Sequence, residues 1–112
     1  MKKIEAIIRP EKLDAVLKAI ELTGYSGVMI TEIKGHGQQK GLVQQWRGSR
    51  YRVSLLTKIK VEIVAKNKDV EKIKNAIVSA AKTGEIGDGK IFVYDIIEAL
   101  KIRTGETGDE AI

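Results

Sequence analysis

Two stretches of helical periodicity, each set between strand-like stretches, constrain this chain more than any other feature of its sequence. In residues 2–9, Ile4, Ala6 and Ile8 alternate with Lys3 and Glu5, the two-residue period of a strand buried on one face. Pro10 suits the first turn of a helix, where a missing N–H costs nothing. Leu13, Val16, Leu17 and Ile20 then fall at i, i+3, i+4 and i+7 and line one helical face, with Lys12, Asp14, Lys18 and Glu21 mainly off the stripe. Gly24 is a natural stop. A β-branched stretch from Val28 to Lys34 predicts the second strand. A break of about 18 residues follows, Gly35 to Arg52, with little periodicity and four glycines. Breaks of that length inside a compact domain tend to be functional or mobile.

The second half repeats the order. Ile59, Val61, Ile63 and Ala65 alternate with Lys58, Lys60 and Glu62 in a third strand. Asn67 or Asp69 is placed to cap a second helix whose buried face is Val70, Ile73, Ile77 and Ala80. Thr83 and Gly84 end that helix, a glycine-rich turn follows, and Lys90 to Ile97 predicts a fourth strand. The polar tail of residues 104–112 is expected to be flexible. Two βαβ units joined by a long loop predict an α+β, ferredoxin-like fold: one antiparallel sheet with both helices on one face. The halves share pattern, not evident sequence. The strand face carrying Lys58, Lys60 and Glu62 must meet water, a ligand or the polar centre of an oligomer.

Residues 1–112 fit a single domain. With 43% hydrophobic and 31% charged residues the chain reads as globular and not as a disordered tail. Without cysteine, disulfides and thiolate metal sites are excluded, in agreement with a reducing compartment. The start, with Arg9-Pro10, is too charged for a signal peptide, and no apolar run has the length of a membrane span; the expectation is a soluble, cytoplasmic protein. A net charge of +5 and a pI near 9.5 favour acidic partners: nucleic acid, anionic membrane, or phosphate and carboxylate ligands. The charges are scattered among acids, so their bulk does not choose between these.

The sharpest chemical signal is Thr83-Gly84-Glu85-Ile86-Gly87-Asp88-Gly89-Lys90. Glycines let backbone N–H groups turn toward an anion, and the lysine adds a charge. Gly84-x4-Gly89-Lys90 matches most of a Walker A loop, but Ile91 stands where a Mg²⁺-holding Ser or Thr belongs, and the loop runs from helix to strand. Taken alone, the stretch suits phosphate binding and a plain turn equally. On an extended segment Lys101 and Arg103 would project to one side and meet one polyphosphate, although two solvated basic residues are the commoner outcome. Gly35-His36-Gly37-Gln38-Gln39-Lys40-Gly41 offers glycine backbone and amide oxygens without carboxylates, so Mg²⁺ there would need ligand phosphates to complete its shell. His36 is the only histidine, which rules out paired-histidine metal sites. No residue set suggests a base or nucleophile, so sensing is expected rather than catalysis, and no catalytic residue is assigned.

Lys2-Lys3-Ile4-Glu5-Ala6-Ile7-Ile8-Arg9-Pro10, Gln39-Lys40-Gly41, Arg47-Gly48-Ser49-Arg50-Tyr51, Thr83 to Val93 and Ile102-Arg103-Thr104-Gly105-Glu106 together resemble the signature stretches of the PII nitrogen-signalling family, in order and spacing over essentially the whole chain. The resemblance implies a homotrimer with ATP or ADP in the clefts between subunits. It implies that Gly87, Asp88, Gly89 and Lys90 (residues 83–89 being the family's B-loop), with Lys101, Ile102 and Arg103 from a neighbouring subunit, hold the phosphates. Gly35, Gly37 and Gln38 would add contacts, and Met29, Glu62 and Val64 would lie near the nucleoside. It further implies that Mg²⁺–ATP recruits 2-oxoglutarate, with Gln39 on the metal and Lys58 facing a carboxylate. Output would come from residues 37–53, the family's T-loop, docking on an ammonium transporter or a nitrogen-assimilation enzyme. Arg47 would plug a transporter pore, and Ser49 and Tyr51 match modified positions. Met29, Gln38 and Lys101 depart from the usual Thr, Arg and Arg, and a lysine gives a point charge where arginine gives a planar fork.

Two rivals share some of these features. An RNA-binding module has the same βαββαβ order, but such modules stack bases on aromatics, and the third strand here carries Lys58, Lys60 and Glu62. A nucleotide-hydrolysing enzyme would need a base and acidic Mg²⁺ ligands that the sequence does not offer.

Overall fold

A computed structural model describes the backbone of residues 1–36, 43–46, 49–52 and 55–112, and the side chains of residues 1–35 and 55–112. Strand β1 (Lys2–Ile8) leads into helix α1 (Leu13–Glu21) and strand β2 (Val28–His36). Two short strands, β3 (Val43–Trp46) and β4 (Ser49–Arg52), precede β5 (Leu55–Ala65), helix α2 (Val70–Ala81) and β6 (Lys90–Asp95). The main sheet has the order β2-β5-β1-β6 with every neighbouring pair antiparallel, so the first strands of the two halves, β1 and β5, lie side by side at its centre. This is the ferredoxin-like arrangement expected from the double βαβ pattern.

The alternating residues do what their period requires. Ile4, Ala6 and Ile8 of β1 and Ile59, Val61, Ile63 and Ala65 of β5 are buried, and they form one cluster with Val16 and Ile20 of α1 and Val70, Ile73, Ile77 and Ala81 of α2. Because both helices share that cluster, both cover the same face of the sheet. The opposite face keeps its charges. Lys3 meets Glu62 at 3.0 Å, and Lys60 stands 3.7 Å from both Glu5 and Glu62, so the central strands carry a lattice of ion pairs. Tyr94 on β6 closes it by donating to Glu5 at 2.6 Å. Among the described residues, no helix is long and apolar enough to cross a membrane.

Several boundaries differ from the sequence expectation. Pro10 opens a 3-10 turn, Pro10–Lys12, and the α-helix proper starts at Leu13. Neither Asn67 nor Asp69 caps α2 through its side chain. Long-range partners claim both: Asn67 accepts from the amino terminus at 2.9 Å, and Asp69 accepts from the Tyr25 hydroxyl at 2.5 Å. The last strand stops at Asp95, and Ile97 is exposed beyond it. The break between the halves is not free of strands. β2 runs on to His36 because β5 begins early enough to pair with it, Gly35 opposite Leu56 and His36 opposite Leu55. Within the break, β3 and β4 pair with each other, Val43 opposite Arg52 and Trp46 opposite Ser49. The tail contains a turn, bridged between Leu100 and Thr107, and a short 3-10 helix at Gly108–Ala111.

Candidate functional site

The loop from Thr83 to Gly89, between α2 and β6, is organised around one carboxylate. Asp88 accepts from the Thr83 hydroxyl at 2.5 Å and from the N–H groups of Thr83 and Gly84, each at 2.9 Å. Arg9, at the end of β1, adds its Nε at 3.2 Å. The Thr83 hydroxyl accepts in turn from the Glu85 N–H at 3.1 Å. These donors, the Thr83 hydroxyl foremost and its N–H next, hold the Asp88 carboxyl well below the usual carboxylate range, against the smaller opposing effect of desolvation. The side chain is therefore consumed in closing the loop. What Asp88 offers a ligand is its backbone.

Two cations then fix which way that backbone faces. Arg9 donates through Nη2 to the Ile86 carbonyl at 2.9 Å, and Lys58 donates through Nζ to the Gly87 carbonyl at 2.6 Å. In a planar trans peptide the N–H points opposite to the C=O, and there is no cis peptide among the described residues. Tying down the carbonyls of Ile86 and Gly87 hence turns the N–H groups of Gly87 and Asp88 away from Arg9 and Lys58. Gly87 and Gly89 adopt φ values of 104° and 99°, where a side chain is strained. Gly89 is further bound to be glycine, since a Cβ there would lie 1.7 Å from the Ile7 carbonyl oxygen. Lys90 follows at once, exposed at the start of β6 and opposite Ile7. Consecutive N–H groups turned away from both cations, beside a lysine, are chemically suited to an anion.

The outer face of the sheet runs up to this loop. Lys58, Lys60, Glu62 and Val64 alternate along β5 on the face away from the helices. Met29 of β2, half-exposed, is paired with Glu62, so the three residues expected near a nucleoside, Met29, Glu62 and Val64, do share one patch. Four residues of strand, about 13 Å, separate Glu62 from Lys58 and the loop it grips. Glu62 is held below its ordinary value by its hydrogen bond from Lys3, with the lysine charges adding to it. Burial, and next the positive charge of Arg9, lower the pKa of the Lys58 ammonium. The central strands β1 and β5 carry no aromatic residue, which removes the stacking platform an RNA-binding module would use.

The other expected residues are distributed as follows. Gly35 lies near the end of β2, half-buried. Gly37, Gln38, Gln39 and Arg47 lie outside the described residues. Ser49 and Tyr51 lie on β4, opposite Trp46 and Gln44. Lys101, Ile102 and Arg103 are not on an extended segment: the Gly105 N–H donates to the Lys101 carbonyl, and the Lys101 N–H to the Glu106 carbonyl, both at 2.8 Å. The chain turns there because Gly105 adopts a φ of 76°. The Lys101 ammonium faces Glu106 at 3.9 Å. The same-side projection of two cations along a strand therefore does not hold. Sequence reasoning placed Thr83 in the loop without giving its side chain a role, and it assigned Arg9 no part in the site. By periodicity Arg9 is simply the end of a strand, and its target is 79 residues away along the chain. Thr83 had a local signal, a hydroxyl five residues before an aspartate across a glycine turn.

A family model described as "Nitrogen regulatory protein P-II" matches residues 1–106. The Rhodospirillum rubrum protein named "Nitrogen regulatory protein P-II" is 54% identical over 112 residues, covering the whole of both chains. The protein of the same name from Cereibacter sphaeroides is 51% identical over the whole of both chains. "Nitrogen regulatory protein P-II 2" of Methanothermobacter thermautotrophicus is 49% identical over all of this chain and 97% of its own length.

Proposed function

The chain belongs to the nitrogen regulatory protein P-II family, a family of nitrogen signal transduction, and on that footing we propose that it senses nucleotide and carboxylate ligands and relays their binding to partner proteins. The nucleotide is ATP or ADP. Its phosphates rest on the N–H groups of the Gly87–Gly89 bend and on Lys90, and its nucleoside lies over Met29, Glu62 and Val64. Lys101, Ile102 and Arg103 reach the phosphates from a second copy of the chain in a homotrimer, and Gly35, Gly37 and Gln38 close the site from the root of the T-loop.

The observation that carries this reading is the orientation of the bend, whose Ile86 and Gly87 carbonyls are taken by Arg9 and Lys58 so that its N–H groups face outward. A plain connecting turn needs no such pair of cations on its carbonyls.

Magnesium fits the donor set in one way. Among the described residues no group of three His, Asp or Glu side chains is placed to hold a metal. A bound Mg²⁺ would draw on the phosphates, with Gln39 adding an amide oxygen, and would supply a chelation point for the keto and carboxylate oxygens of 2-oxoglutarate. Lys58 is the cation for the far carboxylate. Ligand-dependent states of residues 37–53 would then select an ammonium transporter or a nitrogen-assimilation enzyme as partner, with Arg47, Ser49 and Tyr51 as contact or modification positions. No step in this account requires the protein to transform its ligands, so the role is regulatory and not enzymatic.

Calorimetric titration of ATP and ADP, each with and without Mg²⁺ and 2-oxoglutarate, tests the reading. The expected result is binding of both nucleotides and binding of 2-oxoglutarate only with Mg²⁺–ATP present. Binding of 2-oxoglutarate to the nucleotide-free protein would defeat the metal-bridged part, and absence of nucleotide binding would defeat the whole. Scattering mass tests the trimer; a monomer at micromolar concentration would dismantle the shared site.

A further inference from the structure

We propose that Arg9 is the positioning residue of the phosphate loop: by gripping the Ile86 carbonyl and the Asp88 carboxylate together, it turns the loop's N–H groups toward the ligand without touching the ligand itself. The proposal rests on the reading of that loop as a nucleotide site.

Three observations carry it. First, the guanidinium spans the loop from behind, Nη2 to the Ile86 carbonyl at 2.9 Å and Nε to Asp88 at 3.2 Å. Its planar fork satisfies two acceptors at a fixed spacing, which a lysine's single ammonium cannot reproduce. Second, the contact is shielded: the Arg9 side chain is 12% exposed and that of Asp88 24%. Both therefore act in a setting where charge-assisted hydrogen bonds are stronger than on an open surface. Third, Arg9 is rooted at the end of β1, whose flanking residues Ile4, Ala6 and Ile8 belong to the core. The loop is thus tied to a central strand whose inner face is buried in the core, and not to its own flanking turn. Lys58 holds the neighbouring Gly87 carbonyl. Its charge is shared with whatever else occupies the outer face of β5, whereas Arg9 is committed to the loop on two of its donors.

The consequence is a separation of roles. Arg9 matters to the phosphate end of a nucleotide and not to its nucleoside end, which lies about 13 Å along β5. Arg9→Met keeps the apolar stem and removes the fork. The experiment compares wild type, Arg9→Met and Arg9→Lys by calorimetry with ATP and with adenosine, and records amide ¹H–¹⁵N spectra of each protein without ligand. For Arg9→Met, ATP affinity is expected to fall about tenfold, equivalent to about 1.4 kcal/mol. Adenosine affinity stays unchanged, and the amide signals of Gly87, Asp88 and Gly89 move in the ligand-free protein. Arg9→Lys restores part of the loss, since one of the two acceptors regains a donor. Equal losses for ATP and adenosine, or unmoved loop amides, would overturn the proposal, and so would full rescue by lysine. A wild-type protein that ignores ATP would instead defeat the nucleotide reading. The ligand-free spectra would still decide whether Arg9 sets the loop.

Discussion

Replacing Gly89 by alanine separates backbone strain from collision in a way the structure makes quantitative. Gly89 has a φ of 99°, and an added Cβ would lie 1.7 Å from the Ile7 carbonyl oxygen and 2.8 Å from the Ile7 carbonyl carbon. The conformational part costs about 1–2 kcal/mol for any residue with a Cβ. The collision is with backbone near the end of β1 and not with a side-chain tip, so either β1 or the loop must retreat by roughly 1 Å or more to reach an allowed contact. Such a retreat strains the β1–β6 pairing at Ile7 opposite Lys90, and one impaired buried hydrogen bond costs about 1–3 kcal/mol. The expected loss is about 2–5 kcal/mol, which for a urea dependence of about 2 kcal/mol per molar lowers the unfolding midpoint by about 1–2.5 M. Gly24→Ala is the control: its φ is 97°, but nothing lies within 4 Å of an added Cβ, so only the conformational part applies. Equilibrium urea unfolding of both variants at one protein concentration, which keeps any assembly term constant, gives the comparison. Equal midpoints for Gly89→Ala and Gly24→Ala would refute the account of the Ile7 contact.

Further outcomes follow from the same network. Asp88 has its carboxyl pKa depressed in the folded chain, chiefly by the Thr83 hydroxyl, so its stabilisation is present above the unfolded value of about 3.9 and is lost as pH falls through the folded value. Wild type should therefore be more stable than Asp88→Asn at pH 7, with the gap narrowing once the pH falls below about 4; a gap constant over that range in acid unfolding curves would show that the carboxylate charge is irrelevant. Tyr25→Phe removes the hydroxyl that donates to Asp69 at 2.5 Å and accepts from the Lys66 N–H at 3.2 Å. It should destabilise by about 1 kcal/mol or somewhat more, and no change in thermal or urea midpoint would mean that water replaces both contacts.

The fold was legible because its signals are periodic. Alternation at Ile4, Ala6 and Ile8 and at Ile59, Val61, Ile63 and Ala65 marks the strands, and the stripes of α1 and α2 mark the helices that cover them. Boundaries were less legible because partners decide them. Asn67 and Asp69 have the chemistry of helix caps, yet the amino terminus and Tyr25, distant in sequence, take their oxygens. The extension of β2 to His36 depends on β5 and has no periodic signature of its own. In the site, glycine spacing revealed the Gly87–Gly89 bend, since only glycine reaches such φ values without strain. It did not reveal which side of the bend faces out. That depends on Arg9 and Lys58, each brought from another strand, and no local pattern around Arg9 announces a target 77 residues away. The turn at Lys101–Glu106 was hidden for a similar reason: the alternation of Lys101 and Arg103 imitates a strand, and only the glycine at 105 hints otherwise.

The central claim is that the Gly87–Gly89 bend receives the anionic end of an adenine nucleotide. A crystal structure of the protein grown with excess Mg²⁺–ATP addresses it directly. The account predicts phosphate oxygens within hydrogen-bonding distance of the Gly87 and Asp88 N–H groups, with the Ile86 and Gly87 carbonyls still turned toward Arg9 and Lys58. A nucleotide bound elsewhere, or phosphates facing those carbonyls, would contradict it.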